Sequence, residues 1–593
     1  MNEILNKIGI FNLFEAILYT PKSYTNTFLI TNLSEQSGAL RVRITDKKKF
    51  NKILKLRALM LDFDSFLEIN IFSPKPFHSL IFRLDKEIYI LGKLEFNNAW
   101  QMNQPKIINN INQILMNFPT IKIKQNTLNE VFKKIINKHD LKTLGLDAVC
   151  INAIYEIFHP NKEFVNNFQN KGGFFGIYLE ALKFVEIYYY MQGLKSRKRE
   201  FIATNVLNGN YLDFIKSLPF SLTKGQSNCI DFLKSKLSSN KATRCVVMGD
   251  VGCGKTIIIL TCVMMAYPKK SLLLAPTTIL ANQLYVEAKK FLPKNVRIEI
   301  ALKDSIINDC DFLIGTHTLL YRELSEFDLF MTDEQHRFGT NQRLRLEQML
   351  SIEGKKPHCI QFSATPIPRT MAMIESNLVD FCFIKDLPFK KDITTKIITK
   401  KDFNNLLSHI KNDIKSNKQV AIIYPLVEKS DSISYQSIEE GKAFWQKNFS
   451  NVYFTHGKDK MKEEILEEFR DKGSLLIATT LFEVGISLPR LSSIIIVGAE
   501  RLGFATLHQL RGRVSRNGMK GYCFLYTNNA NSLRLKDFVS TISGFEIAEL
   551  DLKYRNSGDI LRGVRQSGEQ FKYFDMYEDK KIAFRASKIL KYH

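Results

Sequence analysis

At 593 residues the chain is too long for a single hydrophobic core, and its length predicts about three or four domains. Hydrophobic residues at 45% and charged ones at 24% exclude wholesale disorder, and nine cysteines with no C-x-x-C pair exclude a zinc ribbon and a disulfide framework. The 84 Lys and Arg against 60 Asp and Glu leave a charge of +24, which draws polyanions and points to nucleic acid or an acidic membrane surface, although a Lys-rich composition alone would carry the same excess.

Residues 1–27 read as a short helical lead-in that closes on YTPKSY at 19–24. Glu3, Lys7 and Glu15 interrupt its apolar residues, so no signal peptide is expected. From 28 to 115 the apolar period is two. Leu40, Val42 and Ile44 alternate with Arg41 and Arg43, Leu67, Ile69 and Ile71 alternate with Glu68 and Asn70, and Ile88 and Ile90 open a further strand. Short strands parted by turn residues predict a small barrel of the OB type. Phe96 and Trp100 within it either stack on unpaired bases or fill the core.

Residues 116–217 turn to helical spacing, with a basic cluster from Lys195 to Arg199 near the end. From 218 to about 530, β and α segments alternate, which predicts parallel sheets. The longest apolar run, 256–267, is about half a bilayer span and reads as a buried helix, so no membrane partner is expected.

The sharpest local pattern is GDVGCGKT at 249–256, set between an apolar strand at 245–248 and a helix that follows. Gly249, Gly252 and Gly254 let the backbone curl, so that N–H groups through Asp250, Val251 and Cys253 face the phosphates of ATP. Lys255 then puts a point charge on the β- and γ-phosphates, and the Thr256 hydroxyl suits Mg²⁺. Such a loop needs an acidic partner. The strand 329–332 ends in DEQH, where Asp333 would hold Mg²⁺ and Glu334 would polarise the attacking water.

Flanking segments agree with this chemistry. FSLTKGQ at 220–226 offers Phe220 as an aromatic face and the Gln226 amide as an adenine reader, while Thr223 also reads as a helix cap. APTTILANQ at 275–283 and GTH at 315–317 follow predicted strands. Their Thr277, Thr316 and His317 stand at strand ends, suited to holding a nucleic-acid backbone.

In this order, and with Ser363 and Thr365 of the following SAT, the segments resemble motifs Q, I, Ia, Ib, II and III of superfamily 2 helicases, in which SAT links the ATP site to the nucleic-acid site. FSATPIPRT at 362–370 is similar to the form found in the RecG family and in its relative, the transcription-repair coupling factor. PLVEKS at 425–430 resembles motif IV. ATTLFEVGISLP at 478–489, which includes Thr479, resembles motif V, and QLRGRVSR at 509–516 resembles motif VI. Arg513 and Arg516, three apart, would share a helix face and reach across the cleft as arginine fingers beside Gln509, worth roughly 10³–10⁵ in rate. Many relatives carry Asp where this chain has Ser487.

Beyond motif VI, GFEIAELDL at 544–552 and GVRQSG at 563–568 resemble the translocation segment shared by RecG and the coupling factor. There Arg565 and Gln566 would be the moving link, and the family's R-G-x-G-E appears as RNSGD at 555–559.

The resemblance implies a multidomain α/β fold: two tandem RecA-like parallel-sheet lobes, an OB-fold-like barrel wedge before them and a helical-hairpin translocation segment after them. The expected division is a lead-in at 1–27, wedge at 28–115, helical linker at 116–217, ATP-binding lobe at 218–390, second lobe at 391–530 and coupling segment at 531–593. The implied function is an ATP-dependent double-stranded DNA translocase that unwinds forks and Holliday junctions, driving fork regression and branch migration. ATP and Mg²⁺ are its cofactors. A monomer without structural metal, cytoplasmic and associated with the nucleoid, is expected. Three rivals stand beside it: an RNA helicase, a PriA-type restart helicase without the zinc cysteines that type needs, and an impaired junction-binding scaffold, for which only Ser487 argues.

Overall fold

The computed structural model describes residues 3–50, 52–119, 123–302, 306–324, 326–334, 338–365, 367–428, 435–479, 488–515, 518–562 and 571–592. The chain divides into two compact units. Residues 1–190, 570–575 and 579–593 form the first, and 191–569 with 576–578 form the second.

In the first unit the period-two segments become strands β1 (Ser23–Asn26), β2 (Gln36–Phe50), β3 (Ile53–Met60), β4 (Ser65–Phe72), β5 (Glu87–Asn97), β6 (Ala99–Asn103), β7 (Lys106–Ile108) and β8 (Ile114–Asn117). Strands β2, β3, β4, β6 and β5 pair in that order, and β5 returns to β2 to close a five-stranded barrel, with β7 laid along β5. Leu40 lies opposite Ile90 and Val42 opposite Ile88, so the apolar faces of the closing strands meet inside. Leu40, Val42, Ile44, Leu67, Ile69, Ile71, Ile88 and Ile90 are all buried in one core. Closure leaves the barrel without a free edge between those strands. Phe96 stays exposed at its rim, edge-on to the half-buried Trp100, which packs on the core.

Strands β1 and β8 form a separate antiparallel pair. The YTPKSY segment is used for packing: Tyr19 stacks on Phe118 and Phe132, and Tyr24 donates to the Ile157 carbonyl at 3.0 Å while meeting Phe164 and Phe168 edge-on. The chain's last residues also belong to this unit. Glu186, on the helix Gly176–Arg197, accepts the backbone N–H groups of Lys572, Tyr573 and Phe574 at 2.6, 2.7 and 2.8 Å. Lys183 pairs with Asp579 at 2.7 Å, and Arg585 of the final helix pairs with Asp147 and Glu180. The span 531–593, expected to act as one coupling segment, is thus shared between the two units.

In the second unit two parallel sheets follow one another. The first holds β9 (Arg244–Gly249), β10 (Ser271–Leu274), β11 (Ile298–Ala301), β12 (Phe312–Gly315), β13 (Leu329–Thr332), β14 (His358–Ser363) and β15 (Asp380–Ile384), in the order β11-β12-β10-β13-β14-β9-β15. The second holds β16 (Ile393–Ile398), β17 (Gln419–Ile423), β18 (Val452–Thr455), β19 (Leu475–Ala478), β20 (Leu491–Val497) and β21 (Gly521–Tyr526), in the order β16-β21-β20-β17-β19-β18. These are the two RecA-like lobes. Their central strands are largely apolar because helices bury both faces, a cluster on each side of each sheet.

Helical structure in the linker breaks after Arg197 and resumes in the short helix Leu212–Ser217, which ends at the expected 217. In between, the backbone runs along the first lobe, with Ala203 N–H on the Asn240 carbonyl at 2.8 Å, Leu207 on Leu237 at 3.0 Å and Gly209 on Met265 at 2.7 Å. Those acceptors lie at helix ends of the lobe, and pairing with them outweighs local helical propensity. Among the described residues no helix is long and apolar enough to cross a membrane.

Candidate nucleotide and DNA-coupling site

Five neighbouring parallel strands, β12, β10, β13, β14 and β9, deliver the singled-out segments of the first lobe to one edge of the sheet. This is where open α/β sheets bind ligands. The loop 250–254 follows β9 and leads into the helix Lys255–Ala266, whose cap Gly254 takes φ +82°. The Gln226 amide lies against the bare face of Gly254, leaving no room for a Cβ. Both the backbone angle and the packing therefore demand glycine there.

Gln226 works as a brace. Its Oε1 accepts the Thr223 N–H at 2.8 Å in a capping box, and its Nε2 donates to the Cys253 carbonyl at 2.9 Å, so the helix Lys224–Leu237 is tied to the phosphate loop. Phe220 is exposed nearby and edge-on to Phe291. Lys255 donates from Nζ to the carbonyls of Gly249 at 2.9 Å and Asp250 at 3.3 Å. Burial opposes its charge, but the acidic groups of Cys253, Glu334, Asp333 and Asp250 outweigh that, and its pKa stands above the ordinary lysine value. It is held as a cation.

Asp333 follows β13 directly and is buried. Burial, then the Glu334 charge, push its carboxyl well above the usual range. Carboxylates crowded in this way are what a divalent cation relieves, so the buried Asp333 fits a place beside Mg²⁺. Among the described residues no group of three or more His, Cys, Asp or Glu side chains is placed to hold a metal. Glu334 takes φ +49°, a left-handed conformation that side chains rarely adopt. Its Oε2 accepts the Ala364 N–H at 3.3 Å, so the acid that follows Asp333 touches the SAT segment directly. Ser363 and Thr365 join through their hydroxyls at 2.8 Å.

The remaining first-lobe residues lie at strand ends. Thr277 caps the helix Thr278–Phe291 through the Leu280 N–H, Thr316 is buried with its hydroxyl 3.3 Å from that of Thr318, and His317 is exposed at the start of a short 3₁₀ turn. Thr479 stands half-buried after β19.

The two lobes meet at the loop. Gly512, which ends the helix Phe504–Arg511, is seated on Val251, and Lys391 from the connection between the sheets donates to the Val251 carbonyl at 2.6 Å. Gln509 and Arg513 are buried on either side of Gly512. Arg516, Ser487, the residues 335–337 and the pair Arg565 and Gln566 lie outside the described residues.

The structure adds residues that pattern reading passed over. His508 donates from Nε2 to Asp250 at 2.6 Å, and Arg511 donates to Nδ1 of His508 at 3.2 Å and to the carbonyls of Phe538 and Ile542. Asp250 also accepts the Gly544 N–H at 3.1 Å. The available signal was an acid inside a phosphate loop, an odd place for negative charge.

Comparison with known proteins agrees with this geometry. Residues 223–374 match the DEAD/DEAH box helicase model, and residues 401–518 match the helicase conserved C-terminal domain. The chain is 45% identical to the ATP-dependent DNA helicase RecG of Helicobacter pylori, over 98% of this chain and 96% of that protein. It is 30% identical to that of Aquifex aeolicus, over 95% and 79% respectively. A solved structure of RecG bound to a three-way DNA junction shares the fold, with a TM-score of 0.56 at 24% identity, covering 98% of this chain and 83% of that one.

Proposed function

The chain belongs to the RecG family of ATP-dependent DNA helicases, and from that premise we propose that it is a double-stranded DNA translocase working at branched DNA, where it regresses stalled forks and migrates junctions. The observation that carries the mechanism is the seating of Gly512 on Val251, because it brings the QLRGRVSR segment of the second lobe onto the phosphate loop of the first. In this reading Lys255 exchanges its two loop carbonyls for the β- and γ-phosphates of ATP. Thr256 and Asp333 would hold Mg²⁺, which would supply neutralisation of the charge on the phosphates. Glu334 orients the attacking water, and Arg513 with Arg516 stabilise the transferred phosphoryl group. The Glu334–Ala364 contact then passes the state of the nucleotide to the SAT segment.

Thr277, Thr316, His317 and Thr479 hold the DNA backbone, the closed barrel acts as the wedge that parts the strands, and Arg565 and Gln566 form the moving link. Binding is phosphate-mediated, selective for structure rather than sequence, and steeply weakened by salt. A monomer acting in the cytoplasm on the nucleoid suffices for this cycle. The solved three-way-junction complex of a protein with the same fold supports the choice of substrate. An RNA substrate is disfavoured by the 45% identity to DNA helicases along nearly the whole chain. The test compares ATP hydrolysis stimulated by a synthetic three-way junction, a linear duplex and a structured RNA. The junction is expected to stimulate most, and equal or greater stimulation by RNA would overturn the reading.

A further inference from the structure

Asp250 sits in the phosphate loop, yet its carboxylate is engaged by three separate parts of the chain. Oδ1 accepts the Val251 N–H at 2.7 Å and the His508 Nε2–H at 2.6 Å, and Oδ2 accepts the Gly544 N–H at 3.1 Å. Val251 belongs to the loop, His508 to the helix Phe504–Arg511 of the second lobe, and Gly544 is the first residue of the helix Gly544–Arg562 that leads toward 563–568.

The chemistry of each bond is determined. Arg511 donates to His508 Nδ1, so the ring carries its hydrogen on Nε2 and can only donate to Asp250. Arg511 itself is anchored by the Phe538 and Ile542 carbonyls and lies 4.3 Å over the Phe538 ring, which fixes the stretch preceding Gly544. A cavity of about 370 Å³, bordered by Lys391, Ile542, Ser543 and Glu546, lies beside the carboxylate. Phe545 and Ile547 are buried just beyond, Phe545 edge-on to Phe383, and the Gly544 N–H bond to Asp250 is a polar tie between the helix start and the phosphate loop.

We propose that Asp250 is a positioning residue that couples the phosphate loop to the translocation segment, passing loop movement between nucleotide states to Gly544 and along its helix. The proposal rests on the translocase reading above and assigns that reading its mechanical link. A carboxylate that only closed the lobes would need His508; the additional bond to Gly544 serves the segment beyond.

Gly544 supplies a clean test. As the first residue of its helix it has no intrahelical acceptor for its N–H, and proline is accepted at that position. Gly544→Pro thus removes the donor to Asp250 while the helix can still start, and Gly544→Ala keeps the donor. The measurement is ATP consumed per third strand displaced from a triplex on linear duplex DNA, beside basal ATP hydrolysis without DNA. Gly544→Pro is expected to keep basal hydrolysis and to raise the ATP cost about fivefold or more, the lower end of coupling between sites, while Gly544→Ala stays near the unsubstituted protein. In a second pair, His508→Gln places an amide donor at the Nε2 position and is expected to retain coupling that His508→Leu loses. Equal ATP cost for Gly544→Pro and Gly544→Ala overturns the proposal, as does a parallel loss of basal hydrolysis in Gly544→Pro. If the unsubstituted protein displaces no strand, the translocase reading falls first and takes the proposal with it.

Discussion

Gly512 packs so closely on Val251 that a Cβ at position 512 would stand 3.0 Å from the Val251 Cβ and 3.1 and 3.2 Å from its two methyl groups. The contact joins the arginine-bearing turn of one lobe to the phosphate loop of the other. Gly512→Ala is expected to push the two apart and to lower DNA-stimulated ATP hydrolysis about tenfold, as overpacking of a close contact costs about 1–3 kcal/mol. Trimming the opposing side chain with Val251→Ala in the same protein should recover most of the loss. Turnover of the double variant no better than that of Gly512→Ala would show that the contact is not what limits closure.

Glu334 is strained and points its carboxylate at the SAT segment. Glu334→Gln keeps the shape and removes the base, and a fall of about 10²–10⁴-fold in hydrolysis is expected with ATP binding intact. Rapid-quench turnover beside nucleotide binding checks this. A fall of less than tenfold would move the base elsewhere.

The chain's own pattern revealed these two sites unequally. GDVGCGKT and DEQH are local strings, and the structure puts Lys255 and Asp333 within mutual electrostatic reach. The barrel strands were also legible, because one face of each is buried and Leu40, Val42 and Ile44 alternate with arginines. The barrel was legible as well, but not which strands close it, since pairing of β2 with β5 joins residues about fifty apart that carry no mark of each other. The break in the helical region between Arg197 and Leu212 follows from backbone groups of the first lobe that no local pattern displays. Asp250 was read with the phosphate loop because its other partners, His508 and Gly544, come from distant segments. The return of the last residues to the first unit is likewise set by Glu186, a single acid on a long helix.

That acid gives a stability prediction. In Glu186→Gln the amide NH₂ would face a backbone N–H, leaving buried donors unmatched at a cost of about 1–3 kcal/mol. Limited proteolysis is expected to cut near residues 570–580 earlier than in the unsubstituted protein, with basal ATP hydrolysis retained. Unchanged cleavage and unchanged hydrogen exchange at 572–574 would contradict it.

A pH dependence follows from His508. Burial lowers its pKa below the ordinary value, although Asp250 pulls the other way. As pH falls below about 6.5 the unfolded chain takes up this proton before the folded one, so stability present at neutral pH is lost on acidification. Burial alone would raise Asp250, but the His508 hydrogen bond and the Lys391 charge hold it below the carboxylate range, and its share is lost only below about pH 4. His358, also lowered by burial, adds in the same direction as His508. Denaturant unfolding between pH 7 and 5 should show falling stability, with a slope reduced in His508→Gln by at most about 1.4 kcal/mol per pH unit. An identical slope in the variant would assign the effect to other groups.

The most direct measurement is single-turnover strand release from a synthetic three-way junction under saturating ATP, comparing the unsubstituted protein with Lys255→Ala and Arg513→Ala. Release is expected from the unsubstituted protein alone, with both variants still binding the junction and Arg513→Ala slowed about 10³–10⁵-fold in hydrolysis. Release by Arg513→Ala at a rate near that of the unsubstituted protein would contradict the picture of a triphosphate gripped between the lobes to move DNA.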